Sequence, residues 1–257
     1  MKFIIVGYGF VGKAVHNAFK DKHEIVIQDP KYTDYKMIDH HDADGVIICV
    51  PTPTTENGIC DASIVSDVLD DVPVFMPVLI KSTVTPAIAT GLEEIYPNHS
   101  ICYSPEFLRA RSANQDFLNQ KYVIVGGEDP ESFWHEVFLE TLPNCKMVMN
   151  CTAQEACMVK YAANSFLALK TSFFNQIFDL CVNNGMDFDI VRHMLSHDTR
   201  IGSGHTIVPG PDGQRGWGGA CFPKDTEAFV QWSTTVGYPA TLVKSAIEYN
   251  KKVRKNP

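Results

Sequence analysis

The feature that most constrains this chain is a glycine-rich turn directly after an apolar run near the N-terminus. Phe3–Val6 is apolar and leads into Gly7-Tyr-Gly9-Phe-Val-Gly12. In such a turn the first glycine allows a tight bend, the second lets the backbone approach a pyrophosphate, and the third lets the next helix pack on the strand. Free amides at the start of that helix bind anions. The pattern therefore predicts the strand, turn and helix of a dinucleotide-binding domain.

Short apolar runs alternate with helix-length amphipathic stretches throughout residues 1–150. This alternation predicts an α/β fold, a Rossmann-type doubly wound and mainly parallel sheet with helices on both faces. The expected strands are Lys2–Val6, Glu24–Gln28, Gly45–Cys49, Val78–Lys81, Ser100–Cys102, Tyr122–Val125 and Lys146–Met149, and the expected helices include Phe10–Lys20, Asp61–Asp70 and Pro86–Ile95.

The pattern changes after Asn150. From Cys151 to Asn184 there is no Gly and no Pro, Thr152-Ala-Gln-Glu155 fits a capping box, and Gly185 supplies a C-terminal stop. A helix of this length would span roughly 50 Å. We therefore expect residues 151–257 to form an all-helical domain with one long helix. Its further helices are expected at Phe188–Leu195, Pro223–Val236 and Pro239–Arg254, with an irregular Gly-rich loop from Asp198 to Phe222.

Asp29 comes at the end of the second expected strand. A carboxylate there accepts hydrogen bonds from ribose hydroxyls and repels a 2′-phosphate, so NAD is favoured over NADP. The nearby Lys31 is a weak argument for NADP. We predict that residues 1–150 are the NAD-binding domain, with cofactor contacts from Gly7, Gly9, Phe10, Val11, Gly12 and Asp29.

Composition and charge exclude several classes of protein. The net charge is −8, from 22 Lys and Arg against 30 Asp and Glu, so the chain lacks the basic surface that nucleic acids or anionic membranes require. No segment has the roughly 20 consecutive apolar residues of a membrane span. The 8 cysteines include no CxxC pair, which argues against a zinc site or disulfide framework and favours the cytoplasm. Asp39-His40-His41-Asp42 and Asp44 are expected to be a solvated loop, not a metal site.

Cys221 stands apart from the other cysteines. It lies just ahead of Pro223 and Lys224 in a glycine-rich segment, and Pro fits the first turn of a helix. Helix amides and a neighbouring cation favour the nucleophilic thiolate. On the long helix, Lys160 and Asn164 are spaced i, i+4 and therefore share one face. A cation and an amide on that face could hold a hydroxyl or an oxyanion. Taken alone, the pair is explained more simply by a surface Lys that extends its ammonium into solvent beside another polar residue.

Seven motifs in register resemble the UDP-glucose/GDP-mannose 6-dehydrogenase family along nearly the whole chain. They are Gly7–Gly12, Val50-Pro-Thr-Pro53, Lys81-Ser-Thr-Val84, Ser104-Pro-Glu-Phe-Leu-Arg109, Lys160-Tyr-Ala-Ala-Asn164-Ser-Phe-Leu-Ala, Arg200-Ile-Gly and Gly218-Gly-Ala-Cys221-Phe-Pro-Lys-Asp225. The resemblance implies an NAD-dependent enzyme that oxidises the C6 alcohol of a nucleotide sugar to a carboxylate, with UDP-glucose the favoured substrate.

The resemblance also implies a role for each residue that matches. Cys221 would trap the intermediate aldehyde as a thiohemiacetal, whose oxidation gives a thioester. Lys160 and Asn164 would stabilise negative charge on the C6 oxygen, and Asp225 with Thr83 would order a water. Glu106 would activate water for thioester hydrolysis, which needs a raised pKa in a partly dry pocket. Further cofactor contacts would come from Val50, Pro51, Thr52 and Thr83, and substrate contacts from Glu106, Phe107, Leu108, Lys160, Asn164, Arg200 and Gly218. Arg215 matches no family motif, but it lies in a loop near these residues and is expected to contribute to diphosphate binding.

The chain departs from the family pattern in several places. Ala110-Arg111 stands where the family usually has Glu-Gly, Ala220 replaces a commoner Ser, and Pro209–Arg215 forms a longer loop. The sequence also stops at Pro257, where members continue into a second nucleotide-binding domain. We expect a compact enzyme, a fragment, or half of a split enzyme whose UDP-binding domain comes from another chain.

Other functions stay open at this stage. The substrate could be GDP-mannose or a UDP-N-acetylhexosamine. A one-step β-hydroxyacid dehydrogenase shares the domains and the Lys–Asn spacing but needs no cysteine, and a non-catalytic NAD-binding module needs none of Cys221, Lys160 or Glu106. The long apolar helix predicts a homodimer. The family resemblance implies that Arg200 would reach the partner's substrate in such a dimer. Four aromatic residues of that helix are expected to be buried, namely Phe166, Phe173, Phe174 and Phe178.

Overall fold

The structure is a computed structural model that describes residues 1–33 and 42–255. It forms two compact units. The first comprises Met1–Pro53 and Cys60–Lys160, and the second comprises Thr54–Ile59 and the chain from Tyr161 onward. The division falls within the long helix and not at Asn150, because the first turns of that helix contribute Ala153 and Ala156 to the core of the first unit.

The first unit contains a seven-stranded sheet of strand order β2-β1-β3-β4-β5-β6-β7. All neighbouring strands are parallel except β5 and β6. This confirms the predicted doubly wound, mainly parallel fold. The strands are β1 (Lys2–Val6), β2 (Glu24–Gln28), β3 (Gly45–Ile48), β4 (Pro77–Ile80), β5 (Ser100–Tyr103), β6 (Tyr122–Gly127) and β7 (Met147–Cys151).

Among the described residues, five helices of the first unit pack beside the sheet, and the helices named from the sequence do not include α4 and α5. Every residue from Phe3 to Val6 is buried, as expected for a parallel strand with helices on both faces. Ile4 and Val6 pack with α2 and α3, while Phe3 and Ile5 pack with α1, α4 and α5. The helices are α1 (Phe10–Phe19), α2 (Ser63–Asp71), α3 (Pro86–Ile95), α4 (Ala113–Leu118) and α5 (Phe133–Thr141).

The remaining helices are α6 (Ala153–Asn183), α7 (Phe188–Ser196), α8 (Phe222–Thr235) and α9 (Thr241–Val253). The predicted capping box is present at the start of α6. The Thr152 N–H donates to Glu155 Oε2 at 2.8 Å, and the Glu155 N–H donates to Thr152 Oγ1 at 3.2 Å. No helix in the described part of the chain is long and apolar enough to cross a bilayer.

The prediction that four aromatic residues of α6 are buried holds fully for Phe174 alone, since Phe178 is half-buried and the other two are exposed. Phe174 is 1% exposed and packs in the small core of the second unit, but Phe166 is 63% exposed and Phe173 is 52% exposed. A sequence pattern shows that a helix has an apolar face, but it does not show which chain covers that face.

Candidate active site

The glycine turn has the geometry that its sequence predicts. Gly7 has φ +90°, and a Cβ there would lie 2.7 Å from the Cys49 carbonyl oxygen. A Cβ on Gly12 would lie 2.1 Å from the Gly7 carbonyl oxygen, whereas no described atom lies within 4 Å of a Cβ on Gly9. Gly9 precedes α1 without a side-chain cap. The turn therefore leaves open space beside unpaired helix amides, which fits a pyrophosphate.

Asp29 is held beside this turn. Its Oδ2 accepts the Tyr8 N–H at 2.7 Å, and its Oδ1 accepts the Lys31 N–H at 2.9 Å. A partly exposed carboxylate at this position suits a ribose diol and opposes a 2′-phosphate. No motif predicts the neighbouring contact between Lys13 and Tyr32, in which the Lys13 ammonium donates to the Tyr32 hydroxyl at 3.1 Å. Only the folded turn after β2 brings these two residues together.

The loops that follow β3 and β4 are fastened to each other. The Thr52 hydroxyl donates to the Thr83 carbonyl oxygen at 2.6 Å, and the Ser82 hydroxyl donates to the Val50 carbonyl oxygen at 2.7 Å. The predicted contact residues Val50, Pro51, Thr52 and Thr83 therefore lie together at the carboxyl ends of two adjacent strands, where doubly wound sheets bind ligands. A cavity here is lined by residues that include Thr83, Pro105 and Lys160.

Glu106 is a buried carboxylate in an ion-paired setting. It is 4% exposed, Lys81 forms a salt bridge with its Oε1, and Gln120 Nε2 donates to its Oε2 at 3.4 Å. Burial raises the pKa of Glu106, and the neighbouring cations Lys81 and Lys160 oppose that rise. The raised pKa agrees with the expectation from the sequence. The sequence does not predict that Lys81 is the partner of Glu106, because the pattern of an apolar strand does not show which group the side chain at its end contacts.

Lys160 lies close to Glu106. Its ammonium donates to the Glu106 backbone carbonyl oxygen and lies 5.7 Å from the centre of the Phe107 ring. Phe107 is 40% exposed, and Leu108 beside it packs partly on the core. The first unit therefore places Glu106, Phe107 and Lys160 next to one another.

In the second unit, Asn164 and Asp225 form a buried pair. Asn164 Nδ2 donates to Asp225 Oδ2 at 2.5 Å, and Lys224 Nζ lies 2.6 Å from Asp225 Oδ1. Asn164 is 6% exposed and Asp225 is 1% exposed. The sequence predicted both as site residues but not their contact, which joins positions far apart in the chain.

Cys221 is the residue that immediately precedes α8, as its neighbours predict. It is a free, partly exposed thiol, and its carbonyl oxygen accepts the Asp225 N–H at 2.8 Å. By contrast, burial raises the pKa of the Cys49 and Cys157 thiols to about 12. Those two cysteines are therefore protonated packing residues, whereas the partly exposed Cys221 thiol is accessible to a substrate.

The segment before Cys221 is fastened by α9. Asn250 Oδ1 accepts the Trp217 N–H at 2.8 Å, and Asn250 Nδ2 donates to the Trp217 carbonyl oxygen at 2.8 Å. A Cβ on Gly218 would lie 2.4 Å from the Arg254 guanidinium. Asn250 and Arg254 thus fix the backbone before the cysteine. Asn250 lies in the last turn of α9 and Arg254 directly follows that helix, but a spacing of four residues does not by itself identify a partner.

The two predicted substrate arginines have different surroundings. Arg200 has an 88% exposed side chain that pairs with Asp198 at 2.6 Å. Arg215 pairs with Asp179 of α6 at 2.8 Å and lies over the Phe178 ring. Arg200 is therefore open to a ligand from outside, whereas a ligand of Arg215 must compete with a carboxylate.

The described residues contain no cluster of three or more His, Cys, Asp or Glu that could hold a metal ion. Of the segment considered for a metal, Asp39-His40-His41 lies outside the described residues. Asp42 and Asp44 are described, and both contact Lys2: Asp42 forms a salt bridge with its ammonium, and Asp44 Oδ2 accepts its N–H at 2.7 Å.

Two family models match the chain and cover both units. Residues 31–141 match the NAD binding domain of the UDP-glucose/GDP-mannose dehydrogenase family, and residues 154–252 match its central domain. The chain belongs to the UDP-glucose/GDP-mannose dehydrogenase family. The resemblance given by the seven motifs is thereby confirmed, and the NAD binding domain model over residues 31–141 supports NAD as the cofactor.

Individual members of the UDP-glucose/GDP-mannose dehydrogenase family resemble the chain over most of its length. A UDP-glucose 6-dehydrogenase of Pseudomonas aeruginosa is 33% identical over 82% of this chain and 49% of its own. Another, of Rickettsia typhi, is 34% identical over 86% of this chain and 52% of its own. The solved UDP-glucose dehydrogenase of Pyrobaculum islandicum has a TM-score of 0.85, with 26% identity over 98% of this chain and 68% of its own. The chain spans about half the length of the curated relatives it matches.

Proposed function

We propose that the chain catalyses the NAD-dependent, two-step oxidation of the C6 alcohol of a nucleotide sugar to the uronic acid, with UDP-glucose as the substrate. The observation that carries this proposal is the partly exposed Cys221 immediately before α8, one turn from an Asp225 that Asn164 holds at 2.5 Å. A cofactor-binding module needs neither the thiol nor the buried polar pair. The relatives named UDP-glucose 6-dehydrogenase support the choice of substrate.

The chain's own groups have complementary roles in this reaction. NAD, held by the glycine turn and Asp29, would supply the hydride acceptor for each of the two oxidations. The Cys221 thiolate adds to the C6 aldehyde to form a thiohemiacetal, and loss of a hydride and a proton leaves a thioester. Lys160 and Asn164 donate to the C6 oxygen as it gains negative charge, and Asp225 with Thr83 orders a water. Glu106 takes a proton from the water that attacks the thioester, and the carbon–sulfur bond breaks to release the acid and the thiolate.

We also propose a homodimer, supported by a mainly apolar stripe on α6. Its six residues, five of them apolar, recur at alternating spacings of four and three, which places them along one side of a helix. Phe166, Phe173 and Leu180 in this stripe are 63%, 52% and 57% exposed, an apolar surface of the kind that marks an interface between proteins. In such a dimer, the exposed Arg200 would reach the phosphates of the partner's substrate. The stripe consists of Ala162, Phe166, Leu169, Phe173, Gln176 and Leu180.

One alternative is a one-step β-hydroxyacid dehydrogenase. The 3-hydroxyisobutyrate dehydrogenase of Mycobacterium tuberculosis has a TM-score of 0.73 and covers 98% of this chain, but its identity of 18% bears on the fold alone. That reaction needs no thiol, so Cys221 favours the two-step oxidation. Among nucleotide sugars, a UDP-N-acetylhexosamine or GDP-mannose stays a second choice.

The decisive measurement is NADH formed per sugar consumed from UDP-glucose, with GDP-mannose, a UDP-N-acetylhexosamine and NADP as comparisons. We expect two NADH per UDP-glucose from the wild-type chain and no free uronic acid from Cys221→Ala. Cys145→Ala, which removes a partly exposed cysteine elsewhere, should behave as wild type. One NADH per sugar, or a fully active Cys221→Ala, would contradict the covalent route. Binding of NAD without turnover of any sugar would favour a non-catalytic module, or an enzyme that needs a separate UDP-binding chain.

A further inference from the structure

Lys81 is a buried cation that the proposed reaction does not yet use. It directly follows β4, in the interior of the sheet, and its side chain is 2% exposed. Its ammonium pairs with Glu106 Oε1, donates to Ser104 Oγ at 3.0 Å, and lies over the Phe117 and Phe138 rings at 5.6 and 5.3 Å. Each of these contacts restricts the position of the ammonium group.

Packing alone does not account for a charge at this place. Removing an ammonium and a carboxylate from water costs several kcal/mol for each ion, and apolar residues of similar volume often replace such pairs without loss of stability. An apolar side chain would also pack well on the Phe117 and Phe138 rings. A buried Lys81 is therefore better explained by what it does to Glu106.

The two carboxylate oxygens of Glu106 have different partners. Lys81 binds Oε1, whereas Gln120, within the part of the chain that the structure describes, donates a long 3.4 Å hydrogen bond to Oε2. The other charged or titratable groups near it are Lys160, which donates to the backbone carbonyl oxygen, and Cys49. Since the Cys49 thiol has a pKa of about 12, it is neutral at pH 7, and Lys81 is the cation in direct contact with the carboxylate.

We propose that Lys81 is the positioning residue of Glu106, holding its carboxylate ionised and fixed by Oε1 so that Oε2 receives the proton from the attacking water. The inference rests on the proposed role of Glu106 as the base in thioester hydrolysis. Without Lys81 the buried carboxylate would lose the counter-charge that contacts it, and its pKa would rise further. The fraction of protonated Glu106, which cannot accept a proton from water, would then increase.

A spectroscopic experiment tests the ionisation of Glu106 without any turnover. The carboxylic acid C=O infrared band is followed against pH in the wild-type chain and in Lys81→Met, and is assigned to Glu106 by its loss in the Glu106→Gln versions of both. We expect the midpoint in Lys81→Met to rise by about one pH unit or more, a tenfold change in proton affinity, and to return towards wild type in Lys81→Arg. An unchanged midpoint in Lys81→Met would overturn the proposal.

Kinetics test the consequence for the reaction. We expect Lys81→Met to lower kcat by about 100-fold or more, the contribution of a positioned base, with KM for the sugar little changed and the acidic limb of the pH profile displaced upward. The acyl-enzyme on Cys221 should accumulate and be visible by intact-protein mass spectrometry. A loss confined to KM, or a lower kcat with an unmoved pH limb, would show a merely structural role and overturn the inference.

Two controls separate this inference from the proposed function and from misfolding. If Glu106→Gln retains full turnover, the base role of Glu106 fails, whereas the infrared midpoints still report whether Lys81 sets its ionisation. If Lys81→Met does not fold, Ser104→Ala is used, because it keeps the cation and removes one hydrogen bond from it. That variant should give a smaller displacement of the midpoint in the same direction, and the absence of any displacement would contradict the proposal.

Discussion

Gly12 leaves no room for a side chain, since a Cβ there would lie 2.1 Å from the Gly7 carbonyl oxygen. We predict that Gly12→Ala lowers the free energy of unfolding by about 3 kcal/mol through overpacking against backbone, and also weakens NAD binding. Gly9→Ala is the matched control, because no described atom lies within 4 Å of its Cβ position. It should keep the wild-type stability and lose NAD affinity, since the methyl group fills space beside the pyrophosphate. Urea unfolding and NAD titration measure the two effects, and equal stabilities for the two variants would contradict the prediction.

Single residues also show which features of the site a sequence motif does not predict. Glu106 and Cys221 were identified from the motifs around them, and the structure gives Glu106 the raised pKa that was expected. Lys81 belongs to one of the same motifs, yet its contact with Glu106 joins the end of β4 to the segment after β5. Such a contact depends on strand order, which a motif does not contain.

At the scale of elements, α9 holds the loop between α7 and α8. Asn250 binds both backbone polar groups of Trp217, and Arg254 pairs with Asp212 at 2.6 Å while donating to the Arg215 carbonyl oxygen at 3.3 Å. The loop has little regular structure of its own, so its shape depends on these side chains. The position of the backbone before Cys221 is therefore set partly by a helix that follows it in the chain.

The Asp212–Arg254 pair predicts a pH dependence of stability. Hydrogen bonds from the Arg254 guanidinium lower the pKa of Asp212 in the folded protein, so the carboxylate contributes stability above its unfolded pKa of about 3.9. That contribution is lost as the pH falls through the lower folded value. Asp212→Asn should therefore melt at a lower temperature than wild type at pH 7, and the difference should narrow below about pH 4. A difference in Tm that stays constant from pH 7 to pH 3 would contradict this.

At the scale of the whole molecule, the stripe on α6 predicts self-association. Burying a Phe stabilises by about 1.5–3 kcal/mol, so Phe166→Lys with Phe173→Lys should raise the dimer dissociation constant by about 100-fold or more. Phe75→Lys is the control, because Phe75 is 78% exposed but lies in the first unit, away from α6 in sequence. Sedimentation velocity measures the result. A monomeric wild-type chain at working concentrations, or a dimer unaffected by the two substitutions, would contradict the prediction.

The sequence by itself determined features that depend on neighbours in the chain. The glycine turn follows from the steric limits on Gly7 and Gly12, the start of α6 from the reciprocal bonds of Thr152 and Glu155, and the doubly wound sheet from the alternation of apolar strands and amphipathic helices. Each of these rests on local backbone geometry or on hydrophobic periodicity, and both can be read within a short window of residues.

Only the tertiary structure decided the contacts between distant positions. Lys81 with Glu106, Asn164 with Asp225, and Asn250 with Trp217 join separate elements, and the exposure of Phe166 and Phe173 depends on which surfaces of α6 the rest of the chain covers. The physical reason is that burial and polar pairing result from the packing of whole elements. A sequence pattern determines which residues share a face of a helix or strand. The packing of whole elements then determines whether that face contacts another element or solvent.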